Sequence, residues 1–111
     1  MAKRNLEEER SPAGAFFLCS IDKGLDAFGA NVRIVVYHEL ERRHGLKRED
    51  IPRKPDLFVE TIENLFGVGT AAVSRAIRRE LEISSGIKDL GGGDLLYALR
   101  TAYHEQLRRL A

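Results

Sequence analysis

Hydrophobic residues recur at helical spacing in five stretches of this chain, with glycine, proline or charged segments between them. Residues 55–81, PDLFVETIENLFGVGTAAVSRAIRREL, give the clearest signal, because two amphipathic patterns flank the short sequence Gly67-Val68-Gly69. Apolar residues three and four positions apart lie on one face of an α-helix, whereas a half-buried strand alternates at every second residue. The pattern therefore predicts an all-α protein: a compact bundle of about five helices with a Gly-x-Gly helical hairpin.

Capping residues predict where these helices begin and end. The side chains and prolines suited to a helix start are Ser11-Pro12, Asn31, Thr70 and Asp94. The glycines suited to the left-handed residue that closes a helix are Gly29, Gly45, Gly67 and Gly86. The segment 46–54 mixes charges with Pro52, and we interpret it as an ordered loop that docks Leu46 and Ile51 on the core.

Facing apolar stripes predict which side chains form the core. Between the third and fourth helices we expect five buried residues: Phe58, Leu65, Phe66, Val73 and Ile77. In the first helix, Phe16, Phe17, Ile21, Leu25 and Phe28 keep helical spacing. Cys19 lies among these apolar residues, so it is predicted to be a small core residue rather than a nucleophile.

The chain is predicted to divide into a flexible charged tail (1–10), a four-helix core (11–86), a glycine-rich hinge (87–93) and a C-terminal amphipathic helix (94–111). Seven apolar residues follow one face of that last helix: Leu95, Leu96, Leu99, Ala102, Tyr103, Leu107 and Leu110. A stripe this long is unusual on the surface of a monomer. It predicts a homodimer, with Tyr103 and Leu107 as partner-binding residues, while packing within its own chain stays the alternative.

Composition and charge narrow the class of protein. The chain has 111 residues, of which 43% are hydrophobic and 32% charged, as expected of one soluble helical domain. Its formal net charge of +1 gives no general attraction to nucleic acid or membranes. One cysteine cannot form an internal disulfide, and no apolar run is long enough to span a bilayer. We therefore expect a cytoplasmic protein without a membrane partner.

A second pattern covers residues 24–81. Its motifs are Gly24-Leu25, Tyr37 with Glu39, Arg48-Glu49-Asp50-Ile51-Pro52, Lys54-Pro55 with Phe58, and Phe66-Gly67-Val68-Gly69. In these motifs the chain resembles a small helical archaeal family, the Nitrosopumilus output domain (NitrOD) type. The spacing from Glu-Asp-Ile-Pro to Gly-x-Gly is the most specific part. The resemblance implies a domain that occurs alone or behind sensory domains and brings no catalytic residues with it.

Residues 57–81 also resemble part of a DNA-binding helix-turn-helix. Gly67 takes the place of the turn glycine, and Val73 follows it by six residues, as in repressor-like motifs. Such motifs need Ala or Gly four residues before the turn glycine, where this chain has Glu63. With Glu60, that carboxylate would also weaken binding at a phosphate surface.

A DNA-binding transcription regulator is therefore the alternative function. In it, Arg75, Arg78 and Arg79 would contact the duplex. Without nucleic acid the same arginines form a solvated helix face, with Arg78 paired to Glu82 one turn later.

No catalytic, cofactor-binding or metal-binding residue is predicted. His38-Glu39 and His44 are six residues apart rather than the four that a zinc protease helix requires. Gly91-Gly92-Gly93 lacks the Lys-Ser/Thr of a phosphate loop. The sequence thus predicts a non-catalytic helical interaction module with a regulatory or signalling output. It would bind a protein partner rather than a small-molecule substrate, and the candidate partner-binding residues are Arg75, Arg78, Arg79, Tyr103 and Leu107.

Overall fold

The computed structural model describes residues 12–88, 90 and 94–110, and the regular structure in these ranges is helical, with no β-strand. The α-helices are α1 (Pro12–Asp26), α2 (Val32–His44), α3 (Pro55–Phe66), α4 (Thr70–Ser85) and α5 (Leu95–Leu110). Single 3₁₀ turns occur at Arg48–Asp50 and Gly67–Gly69. The predicted all-α class is confirmed. The predicted tail and the three glycines of the predicted hinge lie outside the described residues.

Most helix ends follow the local signals: Gly67 follows the end of α3 as predicted, whereas Gly29 lies three residues beyond the end of α1. Gly45 and Gly86 are left-handed, with φ of 68° and 77°, and close α2 and α4 as predicted. The Asp94 carboxylate accepts the N–H of Tyr97 at 2.9 Å, which confirms the predicted cap of α5. Thr70 is wrongly predicted as a cap, because it lies inside α4 and its hydroxyl finds no partner among the described residues.

The sequence also predicts a cap at Asn31 and an ordered loop after α2. Asn31 occupies the N-cap position of α2, but its side chain makes no capping hydrogen bond. The loop is ordered as predicted: Ile51 is fully buried, and Leu46 packs against the core.

The core is built around α4, which packs most extensively against α1 and next against α5. Its buried apolar residues are Val73, Ile77 and Leu81. The remaining buried apolar residues are Phe17, Leu18, Ile21, Leu25, Val36, Leu40, Ile51, Phe58, Ile62, Leu90, Leu95, Ala98, Leu99 and Ala102. The radius of gyration, 13.1 Å, is that of a compact domain of this length.

The two central helices touch at Gly24. A Cβ atom on this residue would lie 2.7 Å from the Cα of Ile77, so any side chain would collide with the backbone of α4. The absence of a side chain therefore allows α1 and α4 to pack in direct contact.

The predicted core between α3 and α4 is only partly correct. Phe58, Val73 and Ile77 are buried, but Leu65 and Phe66 are only partly buried. The reason is that α4 packs mainly against α1, so the end of α3 lies at the edge of the core.

The buried face of α1 is narrower than its apolar pattern predicted. Cys19 is exposed, so its prediction as a core residue is wrong. Phe16 and Phe28 are also 53% and 44% exposed. The buried stripe of α1 runs instead through Phe17, Leu18, Ile21 and Leu25, and Cys19 lies outside it.

The last helix packs within its own chain. Leu95, Leu99 and Ala102 are buried against the rest of the core, and α5 contacts α1, α3 and α4. The ring of Tyr103 lies 5.1 Å from that of Phe17, measured between centroids. Part of the predicted apolar stripe of α5 is therefore buried within its own chain, whereas Leu107 is 39% exposed.

We expect Gly24→Ala to destabilise the protein by about 1–3 kcal/mol, because the added methyl group overpacks the contact with Ile77. Helix propensity alone predicts the opposite sign, a gain of about 1 kcal/mol. Urea denaturation followed by circular dichroism distinguishes the two. A more stable variant would show that α1 and α4 are not in direct contact.

Leu99→Ala should reduce the free energy of unfolding by about 2–5 kcal/mol, because Leu99 is fully buried in the described core. Leu107→Ala is the matched control on the same helix: Leu107 is 39% exposed, and we expect a loss below about 1 kcal/mol. Equal losses for the two variants, measured by urea denaturation, would contradict the observed orientation of α5.

Candidate functional site: a groove between α1 and α4

A groove of about 580 Å³ runs between the C-terminal part of α1 and the outer face of α4. It is lined by Lys23, Gly24, Ala27, Phe28, Ala72, Arg75, Ala76, Arg79, Glu80 and Ile83. On α4 these residues recur at helical spacing, so they share one face, distinct from the face that buries Val73, Ile77 and Leu81.

Apolar residues that the core does not bury lie along the groove. Ala27, Ala72 and Ala76 give it a shallow, small-residue lining, and the larger Phe28 and Ile83 are 44% and 69% exposed. The apolar face of α4 is therefore wider than the part of it that the other helices of the chain cover. Exposed apolar groups beside a depression are typical of interaction sites.

Cations line both walls of the groove. Lys23 lies on the α1 wall, Arg75 and Arg79 lie on the α4 wall, and Glu80 is the one acidic residue in the lining. Within the described residues, none of these three cations forms an ion pair with a carboxylate. Their charges are therefore free to meet an external group.

The predicted partner-binding residues do not form one surface. The groove brings Arg75 and Arg79 together, Arg78 joins these two in an adjoining depression with Glu82, and Tyr103 and Leu107 line neither. Arg78 is half-buried and donates from Nε to the carbonyl oxygen of Ser74 at 3.4 Å. Its predicted pair with Glu82 is not formed among the described residues.

Glu82 has another partner in the structure. One of its carboxylate oxygens accepts the N–H of Leu90 at 2.7 Å. This bond ties the end of α4 to the segment that follows it.

The α1 wall of the groove was missed by sequence reasoning. Lys23, Ala27 and Phe28 come close to Arg75 and Arg79 only because α1 and α4 pack together. The one signal available in the sequence was that both helices carry more apolar residues than a single buried stripe contains.

A buried carboxylate fixes the α1 wall beside Lys23. Asp22 is 8% exposed and accepts the hydroxyl of Tyr37 at 2.6 Å and Nη2 of Arg48 at 2.8 Å. Nη1 of Arg33 lies 3.1 Å from the same carboxylate. The network joins α1 to α2 and to the 3₁₀ turn Arg48–Asp50, so the helix cannot rotate without breaking it.

The network also affects the ionisation of its tyrosine. Burial raises the pKa of Tyr37 well above its ordinary value, and the hydrogen bond to Asp22 raises it further. Both effects disfavour the phenolate, because the phenol is removed from water and already faces a negative charge. Tyr37 therefore stays protonated and donates the hydrogen bond that holds Asp22 in place.

A second, smaller apolar depression lies between the start of α2 and the end of α3. Its volume is about 230 Å³ and it is lined by Asn31, Val32, Val35, Leu65 and Phe66. It carries no charged residue. In the part of the chain that the structure describes, no three His, Cys, Asp or Glu residues are grouped in a way that could hold a metal ion.

None of the described helices is both long and apolar enough to cross a membrane. Comparison of the chain with protein-family models, with curated proteins and with solved structures finds no match. The resemblance to the NitrOD family remains a prediction from the sequence motifs.

Stability should fall as the pH rises above about 10. Tyr37 has a raised pKa in the folded protein, so the unfolded chain, with a tyrosine pKa of about 10, loses the proton first. The stabilisation is complete below about pH 10 and is lost progressively above it. We expect Tyr37→Phe to flatten this decline in urea denaturation between about pH 9 and 11.5.

Tyr97→Phe is the matched control for this measurement, because Tyr97 is 54% exposed and lies outside the Asp22 network. It should keep the wild-type slope. Identical slopes for wild type and Tyr37→Phe would show that the Tyr37 hydroxyl is not buried against Asp22.

Proposed function

We propose that this protein is a non-catalytic interaction module that binds another protein through the groove between α1 and α4. The observation that carries the proposal is an apolar groove with cations on both walls, Lys23 on one side and Arg75 and Arg79 on the other, none of which pairs with a carboxylate of the described residues. Arginine and aromatic side chains, here Arg75, Arg79 and Phe28, are enriched at protein interfaces. A partner that covers Phe28 and Ile83 would gain the free energy of burying them.

The regulatory or signalling role rests on the resemblance to output domains. Two residues of the matching motifs, Tyr37 and Arg48, hold Asp22, the neighbour of Lys23 in the groove wall. The motif residues thus support the surface that we propose for binding. The proposed setting is the cytoplasm.

Self-association is a separate part of the proposal. It would need a surface other than the apolar residues of α5 that pack in their own chain, Leu95, Leu99 and Ala102. The uncharged depression at Val32, Val35, Leu65 and Phe66 is the surface that best suits a second copy.

DNA binding remains the alternative, together with the helical-hairpin interpretation of residues 55–81. The start of α4 supports it, because Ala71, Ala72 and Arg75 are exposed. The acidic residues Glu60 and Glu63 are exposed on the preceding helix, where they would oppose a phosphate backbone. The groove favours a protein partner, because an apolar lining has no counterpart on a phosphate surface.

Charge reversal in the groove tests the proposal. We expect Arg75→Glu/Arg79→Glu to lose a protein partner that wild type retains when the full chain is cross-linked in cells of its source organism. The matched control is Lys88→Glu/Arg100→Glu, which makes the same change in net charge at two exposed positions outside the groove. The control should retain the partner.

Two outcomes would contradict the proposal. The partner could survive the groove reversal, which would place the interface elsewhere. Alternatively, wild type could bind duplex DNA with micromolar or tighter affinity at about 100 mM salt and lose it in Arg75→Glu/Arg79→Glu. Light scattering with and without DNA detects the second outcome, which would make the protein a DNA-binding regulator.

A further inference from the structure

We infer that the groove between α1 and α4 takes an acidic amphipathic helix of the partner, about three turns long, with an apolar stripe toward the groove and carboxylates on both flanks. This inference deepens the proposed function and rests on it. It specifies the chemistry of the partner segment, which the proposed function leaves open.

The charges of the groove determine the flanks of the partner helix. Lys23 on one wall faces Arg75 and Arg79 on the other, so a segment lying between them meets positive charge at both edges. Arg75 and Arg79 are one helical turn apart, about 6 Å along α4. Carboxylates at positions i and i+4 of a helix aligned with α4 match that spacing.

Glu80 adds a point of specificity. It is the one carboxylate of the lining, and it lies next to Arg79 on the α4 wall. A partner residue placed opposite Glu80 should therefore be neutral or basic. An unbroken run of acidic residues would be repelled at this position.

The walls of the groove determine the backbone conformation of the partner. The walls are α4 and the end of α1 with the turn Ala27-Phe28 that follows it, and the N–H and C=O groups inside both helices already bond within the helix. An extended segment would find no strand edge with which to pair. A helical segment satisfies its own backbone and needs only side-chain contacts, so the groove selects a helix.

The apolar lining determines the length and the anchors. On α4 the lining extends from Ala72 to Ile83, which corresponds to about 16 Å of helix axis. The alanines Ala27, Ala72 and Ala76 leave room for large partner side chains. A partner helix of about 11 residues, with apolar anchors at i, i+4 and i+7, would fill this length.

Synthetic peptides test this chemistry with the full chain. The first peptide carries leucines in one helical stripe flanked by glutamates. The second peptide has every glutamate replaced by glutamine. The third has the composition of the first, but its leucines no longer form a stripe. Dissociation constants come from fluorescence anisotropy at about 50 and 300 mM salt. We expect the first peptide to bind wild type about tenfold more tightly than either of the others.

Variants of the protein test whether the peptides bind in the groove. Arg75→Glu/Arg79→Glu should weaken the acidic peptide about tenfold and bind a lysine-flanked peptide better than wild type does. Ala72→Trp should weaken the acidic and the glutamine peptides alike, because it fills the groove without changing its charge. Lys88→Glu/Arg100→Glu should leave binding unchanged. Thermal unfolding of each variant shows that it is folded.

Three results would overturn the inference: no saturable binding of the acidic peptide, equal affinity for the acidic and glutamine peptides, or binding that survives both groove variants. Displacement of the peptide by duplex DNA at about 100 mM salt would also overturn it. If the peptides fail while the cross-linked partner still depends on Arg75 and Arg79, the proposed function stands and only the acidic helix is wrong.

Discussion

At Gly24 the helices α1 and α4 approach too closely for any side chain, since a Cβ atom there would lie 2.7 Å from the Cα of Ile77. This contact lies within the most extensively packed pair of helices in the fold. It makes α4 the centre of the core, with Val73, Ile77 and Leu81 buried. It also leaves the outer faces of the two helices side by side, and the groove is the depression between them. A bulkier residue at 24 would separate the helices and change the groove at the same time.

The buried carboxylate of Asp22 complements that apolar contact. Removing a carboxylate from water is costly, and a buried ion pair stabilises a fold only when its geometry and hydrogen bonds are good. Asp22 meets that condition with Tyr37, Arg48 and Arg33 around it. The contribution of the network is orientation as much as stability. It fixes the face that α1 presents, and therefore the position of Lys23.

The arginines of the groove differ from three other arginines, Arg42, Arg53 and Arg108. Arg42 pairs with Glu39, Arg53 with Asp50, and Arg108 with Glu105, each with a carboxylate three residues earlier in the chain. Those pairs neutralise charge locally. The groove cations have no such neighbour within the described residues, and they lie beside exposed apolar side chains. A surface that combines free charge with apolar area is suited to a partner that offers both.

The sequence by itself determined the helical class, the ends of α2 and α4 at Gly45 and Gly86, and the cap of α5 at Asp94, because each depends on interactions within a few residues. Apolar periodicity also identified central core residues such as Phe58 and Ile77. It could not decide between burial and exposure for side chains such as Phe28, Cys19 and Ile83. A helix's own pattern gives the width of its apolar arc, but neighbouring helices decide which part of the arc is covered.

Tertiary structure decided the rest. It packed α5 on its own chain, and it gave Gly24 its role at the contact with Ile77. It also brought Lys23 opposite Arg75 and Arg79, although about fifty residues separate them in the sequence. No local rule links positions so far apart. They meet because one glycine lets two helices touch and a buried carboxylate fixes the rotation of α1.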